Sequence, residues 1–128
     1  MARSTPPDAD APIDPRRPAI VSLLVRDLGR SLAFWHEALG VPVKLRTPDR
    51  AELQSETCAL VLVESADAPA PSAAVTIAFE VDDLDAAAAW IAARGVELEP
   101  AAGPATDGGR RRAFRDPDGH RLELVAYG

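Results

Sequence analysis

Cysteine is nearly absent: Cys58 is the only one in 128 residues, so no internal disulfide can form and no Cys-x-x-Cys redox or zinc motif exists. Long apolar runs are missing as well. No stretch approaches the roughly 20 residues that span a bilayer, and no signal peptide precedes the first strand-like segment. A soluble, cytoplasmic chain with no membrane partner is expected. Clustered positive charge is also lacking: the net charge is −6. Up to Pro18, Asp8, Asp10 and Asp14 cancel Arg3, Arg16 and Arg17, which leaves the acidic excess on the remainder. Nucleic acid requires the opposite balance and is excluded as the main partner. A neutral or cationic small molecule fits better. What is present is 47% hydrophobic residues, enough for one domain to bury a core without staples.

Five prolines fall between Pro6 and Pro18 among small and charged residues, a composition too polar to offset its own ordering entropy. Residues 1–18 are therefore expected to be a flexible tail, and residues 19–128 a single domain. Within it, the Pro, Ala and Ser-rich stretch 65–73 reads as a linker between one module at 19–64 and another at 74–128.

The two modules repeat each other. Val25-Arg-Asp-Leu28 is echoed by Val81-Asp-Asp-Leu84, Gly40-Val41 by Gly95-Val96, and Leu60-Val-Leu-Val63 by Leu122-Glu-Leu-Val125, in the same order. Val21, Leu23 and Val25 alternate with more polar neighbours, as do Val75, Ile77, Phe79 and Val81, and a period of two predicts a strand at each place. Asp27 and Asp83 then stand as helix N-caps. Leu28, Leu32, Trp35 and Leu39 follow a helical stripe, and so do Leu84, Ala88 and Ile91, with Gly40 and Gly95 as the stops. Three short strands follow in each module, the last two of the second joined by the turn Asp116-Pro-Asp-Gly119. The expected class is α+β: two βαβββ modules in pseudo-twofold arrangement, forming a curved mixed sheet around a cavity with the helices outside.

Val25-Arg-Asp-Leu-Gly-Arg-Ser-Leu-Ala-Phe-Trp35, Val81-Asp-Asp-Leu84 and above all Phe114-Arg-Asp-Pro-Asp-Gly-His-Arg-Leu-Glu-Leu-Val125 resemble the vicinal oxygen chelate superfamily, which contains glyoxalase I, bleomycin-resistance proteins and extradiol dioxygenases. The resemblance covers about residues 19–127. It implies a metal held by a ligand on the first strand and another on the last strand of each module. Transferred here, those positions fall on Ile20, Val61, Thr76 and Glu123, and only Glu123 has ligand chemistry. A catalytic divalent metal needs about three protein ligands. No metal, cofactor or catalytic residue is therefore expected. His120 and Glu123, three apart on a strand, point to opposite faces and cannot share an ion.

The alternation places Ile20, Ser22, Leu24, Val61, Val63, Thr76, Ala78, Glu80, Arg121 and Glu123, with Val125, on the cavity face. Such a face, apolar with a few polar groups, suits a small molecule. Glu80 lies about 13 Å along the strand from Thr76 and so lines another level. Inside a cavity Glu123 requires a partner, for which Arg121, Arg111 and Arg115 are candidates. Two roles remain open for it, a structural ion pair or an anchor for a cationic or hydrogen-bond-donating ligand. His36 and His120 read as surface residues, Cys58 as a buried inert thiol, Trp35 and Trp90 as core, and Arg110-Arg-Arg112 as a solvated edge strand. The function expected is metal-independent binding of a small molecule by a possible homodimer. The alternatives are a metal-dependent lyase, isomerase or dioxygenase with an atypical site, and an interaction domain without a ligand.

Overall fold

The computed structural model describes Pro12 and residues 20–56, 58–71, 75–101, 103 and 108–127. Apart from Pro12, the tail expected at 1–18 lies outside them. The first element among the described residues is strand β1 (Ile20–Val25), which runs into helix α1 (Leu28–Leu32). Three short strands complete the first half: β2 (Val43–Arg46), β3 (Arg50–Leu53) and β4 (Ala59–Glu64). The second half contains β5 (Thr76–Glu80), α2 (Leu84–Ala92), β6 (Arg110–Arg115) and β7 (Arg121–Ala126).

The strands divide into two mixed sheets, one in the order β1-β4-β3-β2 and the other in the order β5-β7-β6. In each, the strand before the helix pairs in parallel with the closing strand: Ser22 lies beside Val61 and Ala78 beside Glu123. Among the described residues, the third strand expected in the second half is represented by a bridge between Leu98 and Phe114, supported by the Glu99 N–H donating to the Ala113 carbonyl at 2.8 Å. Pro100 follows directly, and its missing N–H cannot extend a ladder.

Local chemistry explains the starts and stops. Asp27 and Asp83 hold extended backbone and accept from the Arg30 and Ala86 N–H groups, as an N-cap must. The Glu64 carboxylate takes a further free donor of α1, the Leu28 N–H, at 2.8 Å. After Leu32 the helix widens into a π-helical segment, Ala33–Ala38, whose last bond runs from the Leu39 N–H back to the Phe34 carbonyl. Phe34 and Trp35 both reach other aromatics there: Trp35 meets Phe79 edge-on at 6.0 Å, and Phe34 lies 6.3 Å from Phe114. The chain then turns at Gly40 with φ of 74°, where an added Cβ would stand 2.9 Å from the Trp90 ring.

One apolar core runs through both halves and includes Leu23, Val25, Leu62, Leu84, Ile91, Phe114 and Leu122. The helical stripes supply their part as expected, but Trp90, read as core beside them, does not. That side chain is 43% exposed and carries the Arg94 guanidinium over its ring at 3.4 Å, so it caps the surface while Trp35 fills the interior. Asp118 ties the halves together by accepting from the Arg26 N–H at 2.9 Å and pairing with Arg30 at 3.3 Å.

Candidate small-molecule site

The alternation of β1 places Val21, Leu23 and Val25 on the core side and leaves Ile20, Ser22 and Leu24 on the opposite face, where Ile20 is 64% and Leu24 41% exposed. Register continues that face across β4, with Ser22 beside Val61 and Leu24 beside Val63. In the second sheet Thr76 lies beside Arg121, Ala78 beside Glu123 and Glu80 beside Val125. Each set of candidate residues is thus contiguous on its own sheet.

Between the sheets, a cleft of about 320 Å³ brings together Ser22 and Leu24 from β1 and Arg121 from β7. Pro69, Ala70 and Pro71 form one wall, Val75 and Ile77 another, and His120 completes the lining. Ile20, Val61, Val63, Thr76, Glu80 and Glu123 do not line this cleft, and Ala78 borders a separate cavity. A larger groove of about 690 Å³ runs between residues 95–100 and Phe114–Pro117 and contains none of the ten candidates.

His120 is where inspection of the sequence missed the structure. Its side chain is only 17% exposed, and its Nδ1 lies 2.7 Å from Oδ2 of Asp116, whose side chain is fully buried. The other oxygen, Oδ1, accepts the Asp118 N–H at 3.1 Å and the His120 N–H at 2.7 Å, which fixes the carboxylate in the turn. An ionised carboxylate is only an acceptor, so Nδ1 carries the proton in the neutral ring and Nε2 keeps its lone pair. The signal was present in the sequence: an Asp and a His four apart across a Pro-Asp-Gly turn. Strand parity does not apply there, because His120 precedes β7.

Glu123 has its partners. Arg111 Nε and Arg121 Nη2 each lie 3.5 Å from its carboxylate. Arg121 also reaches Glu99 at 3.2 Å. Arg115, the third candidate, instead pairs with Glu99 at 3.8 Å and donates to the Gly119 carbonyl. Glu80 is exposed and makes no ion pair among the described residues. His36 is exposed, with Nδ1 2.9 Å from the Val41 carbonyl oxygen, and Cys58 is half-buried. In the run Arg110-Arg-Arg112 of β6, Arg110 pairs with Asp85, while Arg112 turns inward and reaches the Glu99 carbonyl.

The donor set does not suit a divalent metal. Ile20 and Val61 offer no ligand atom, Thr76 only a hydroxyl, and Glu123 is held by two guanidinium groups. No cluster of three His, Cys, Asp or Glu side chains that could hold an ion occurs among the described residues. Nor is any helix among them long and apolar enough to cross a membrane.

This arrangement of strands and helices is that of a known family. Residues 17–124 match the Glyoxalase/Bleomycin resistance protein/Dioxygenase superfamily, and the chain belongs to it. Among solved structures, it is similar to a glyoxalase/bleomycin resistance protein/dioxygenase from Nocardioides, with 24% identity, 92% of this chain and 87% of that one covered, and a TM-score of 0.74. A fosfomycin resistance protein, FosX, from Listeria monocytogenes is 23% identical over 86% of this chain and 92% of its own, with a TM-score of 0.71. Lactoylglutathione lyase from Agrobacterium tumefaciens is 22% identical over 84% and 91%, with a TM-score of 0.67. At such identities the likeness establishes the fold alone. No curated protein matches the chain.

Proposed function

We propose that this protein binds a small neutral or cationic organic molecule without the help of a metal, in the cleft between the sheets. The observation that carries this reading is the Asp116–His120 pair. In the neutral ring, with the proton on Nδ1 toward Asp116, Nε2 is an acceptor, and His120 lines the cleft with Leu24 and Ile77, which supply apolar contact. A ligand with a hydroxyl or N–H group next to an aromatic or aliphatic body suits this lining. Glu123, engaged by Arg111 and Arg121, takes the structural role of the two left open for it. The missing metal ligands support binding over the lyase, isomerase and dioxygenase chemistry found elsewhere in the superfamily. Calorimetric titration of the full chain, dialysed against chelator, tests the reading with a bleomycin-type glycopeptide and a panel of aromatic amines and phenols. Saturable binding is expected for a subset of them. No binding at high micromolar concentration across the panel would overturn the proposal.

We also propose a homodimer. Ile20 and Leu45 are exposed apolar side chains outside the cleft that a second copy would cover. Sedimentation velocity is expected to give twice the monomer mass, and a monomer at high micromolar concentration would contradict this.

A further inference from the structure

We propose that the cleft takes two classes of ligand, exchanged by a single proton on His120: hydrogen-bond donors on the neutral ring and hydrogen-bond acceptors on the charged one. The inference rests on the reading of the cleft as a binding site and adds its regulation. Nε2 is the atom that decides. It makes no hydrogen bond among the described residues, and unlike the indole nitrogen of Trp35 it is not shut off from its surroundings. Nδ1 already carries a proton toward Asp116 at 2.7 Å, so the next proton goes to Nε2 and turns an acceptor into a donor. The ring does not have to move. Asp116 is fixed by the N–H groups of Asp118 and His120, and Nδ1–H faces the same carboxylate oxygen before and after.

Among the described residues, no other group on the lining makes this exchange. β1, β5 and the wall at 69–71 bring no ionisable side chain to the cleft, and the Ser22 hydroxyl donates or accepts equally well. Arg121 is the one other charged group there. It keeps its charge throughout, and its two terminal nitrogens are engaged by Glu99 at 3.2 Å and Glu123 at 3.5 Å. Around the turn, Asp118 holds Arg30 and the Arg26 N–H, while Arg115 donates to the Gly119 carbonyl. His120 is left to set the polarity of the cleft.

Calorimetric titration of the full chain tests this with two probes that keep their own charge between about pH 5 and 8, the range in which imidazoles titrate. Benzylammonium only donates, and acetophenone only accepts. Benzylammonium binds the neutral ring, so its affinity is full above the His120 midpoint and falls about tenfold for each pH unit below it, as the competent fraction shrinks. Acetophenone is expected to run the other way. By reciprocity, saturating benzylammonium lowers the His120 midpoint in long-range ¹H–¹⁵N spectra and acetophenone raises it, whereas the exposed His36 does not respond. The chain has only these two histidines, so His36→Gln assigns both signals. His120→Gln is expected to flatten both pH profiles. Affinities that do not vary with pH, or that follow a midpoint other than that of His120, would overturn the proposal and leave the cleft reading standing. If neither probe binds at any pH, the cleft reading falls and the proposal with it.

Discussion

Asp116→Ala removes three acceptor contacts at once: those to the Asp118 N–H at 3.1 Å, the His120 N–H at 2.7 Å and His120 Nδ1 at 2.7 Å. Hydrogen bonds to a charged group contribute about 1.5–3 kcal/mol each, and partial exposure of the turn lets water replace some of that. The expected loss is about 3–5 kcal/mol, which at a urea m-value near 2 kcal/mol/M lowers the unfolding midpoint by roughly 2 M. Asp116→Asn separates stability from function. Its carbonyl oxygen keeps both backbone donors, but its NH₂ group now faces Nδ1, so the ring proton moves to Nε2 and the acceptor becomes a donor. The variant is expected to lose only about 1–2 kcal/mol yet to bind hydroxyl and N–H ligands about tenfold more weakly, one hydrogen bond being the difference. Urea unfolding, calorimetry and long-range ¹H–¹⁵N spectra of the imidazole ring measure the three quantities. A stability loss below about 1 kcal/mol for the alanine variant would refute the argument that the turn depends on this carboxylate. Unchanged ligand affinity in the asparagine variant would refute the role of Nε2.

Three further outcomes are expected. Leu62→Ala, at a fully buried position on the central strand β4, should cost about 2–5 kcal/mol in urea unfolding, and a cost under 1 kcal/mol would show that the core closes around the gap. Gly40→Ala should cost about 1–2 kcal/mol, because φ is 74° and the new methyl meets the Trp90 ring; fluorescence of Trp90 should change with it, and an unaltered midpoint would contradict the strain. Asp27→Ala should cost about 0.5–2 kcal/mol by removing the cap on the Arg30 N–H, to be read by thermal unfolding.

Much of the fold was legible because its signals are local. The alternation in β1, the caps at Asp27 and Asp83 and the turn at Asp116–Gly119 each depend on a few neighbouring residues. The bridge that stands for the third strand of the second half among the described residues was not, since Leu98 and Phe114 are far apart in sequence. The π-helical widening was hidden for a similar reason. It meets the demands of aromatic partners far away in sequence, Phe79 and Phe114, and no helical stripe records it. Trp35 and Trp90 looked alike on paired helices, and only tertiary packing buries one and leaves the other under Arg94.

For the candidate site, the face of each strand could be read from parity, which grouped Ser22 with Leu24 and Ala78 with Glu123. Parity carries no information about how two sheets meet. The cleft therefore selects Ser22, Leu24 and Arg121 from ten candidates and adds His120 from a turn. The Glu123 partners were partly legible: Arg111 and Arg121 share its face, whereas Arg115 is drawn off by Glu99, a residue outside the regular strands.

The most direct measurement is ligand affinity in one preparation before and after a metal is supplied. Protein stripped with chelator is titrated with a compound from the binding panel, then again with manganese, nickel, iron or zinc present, and turnover is followed in the same samples. Dissociation constants that agree within about twofold, a difference of only 0.4 kcal/mol, are expected, with no turnover in any sample. Binding or reaction that appears only with the added ion would contradict a metal-independent binding protein.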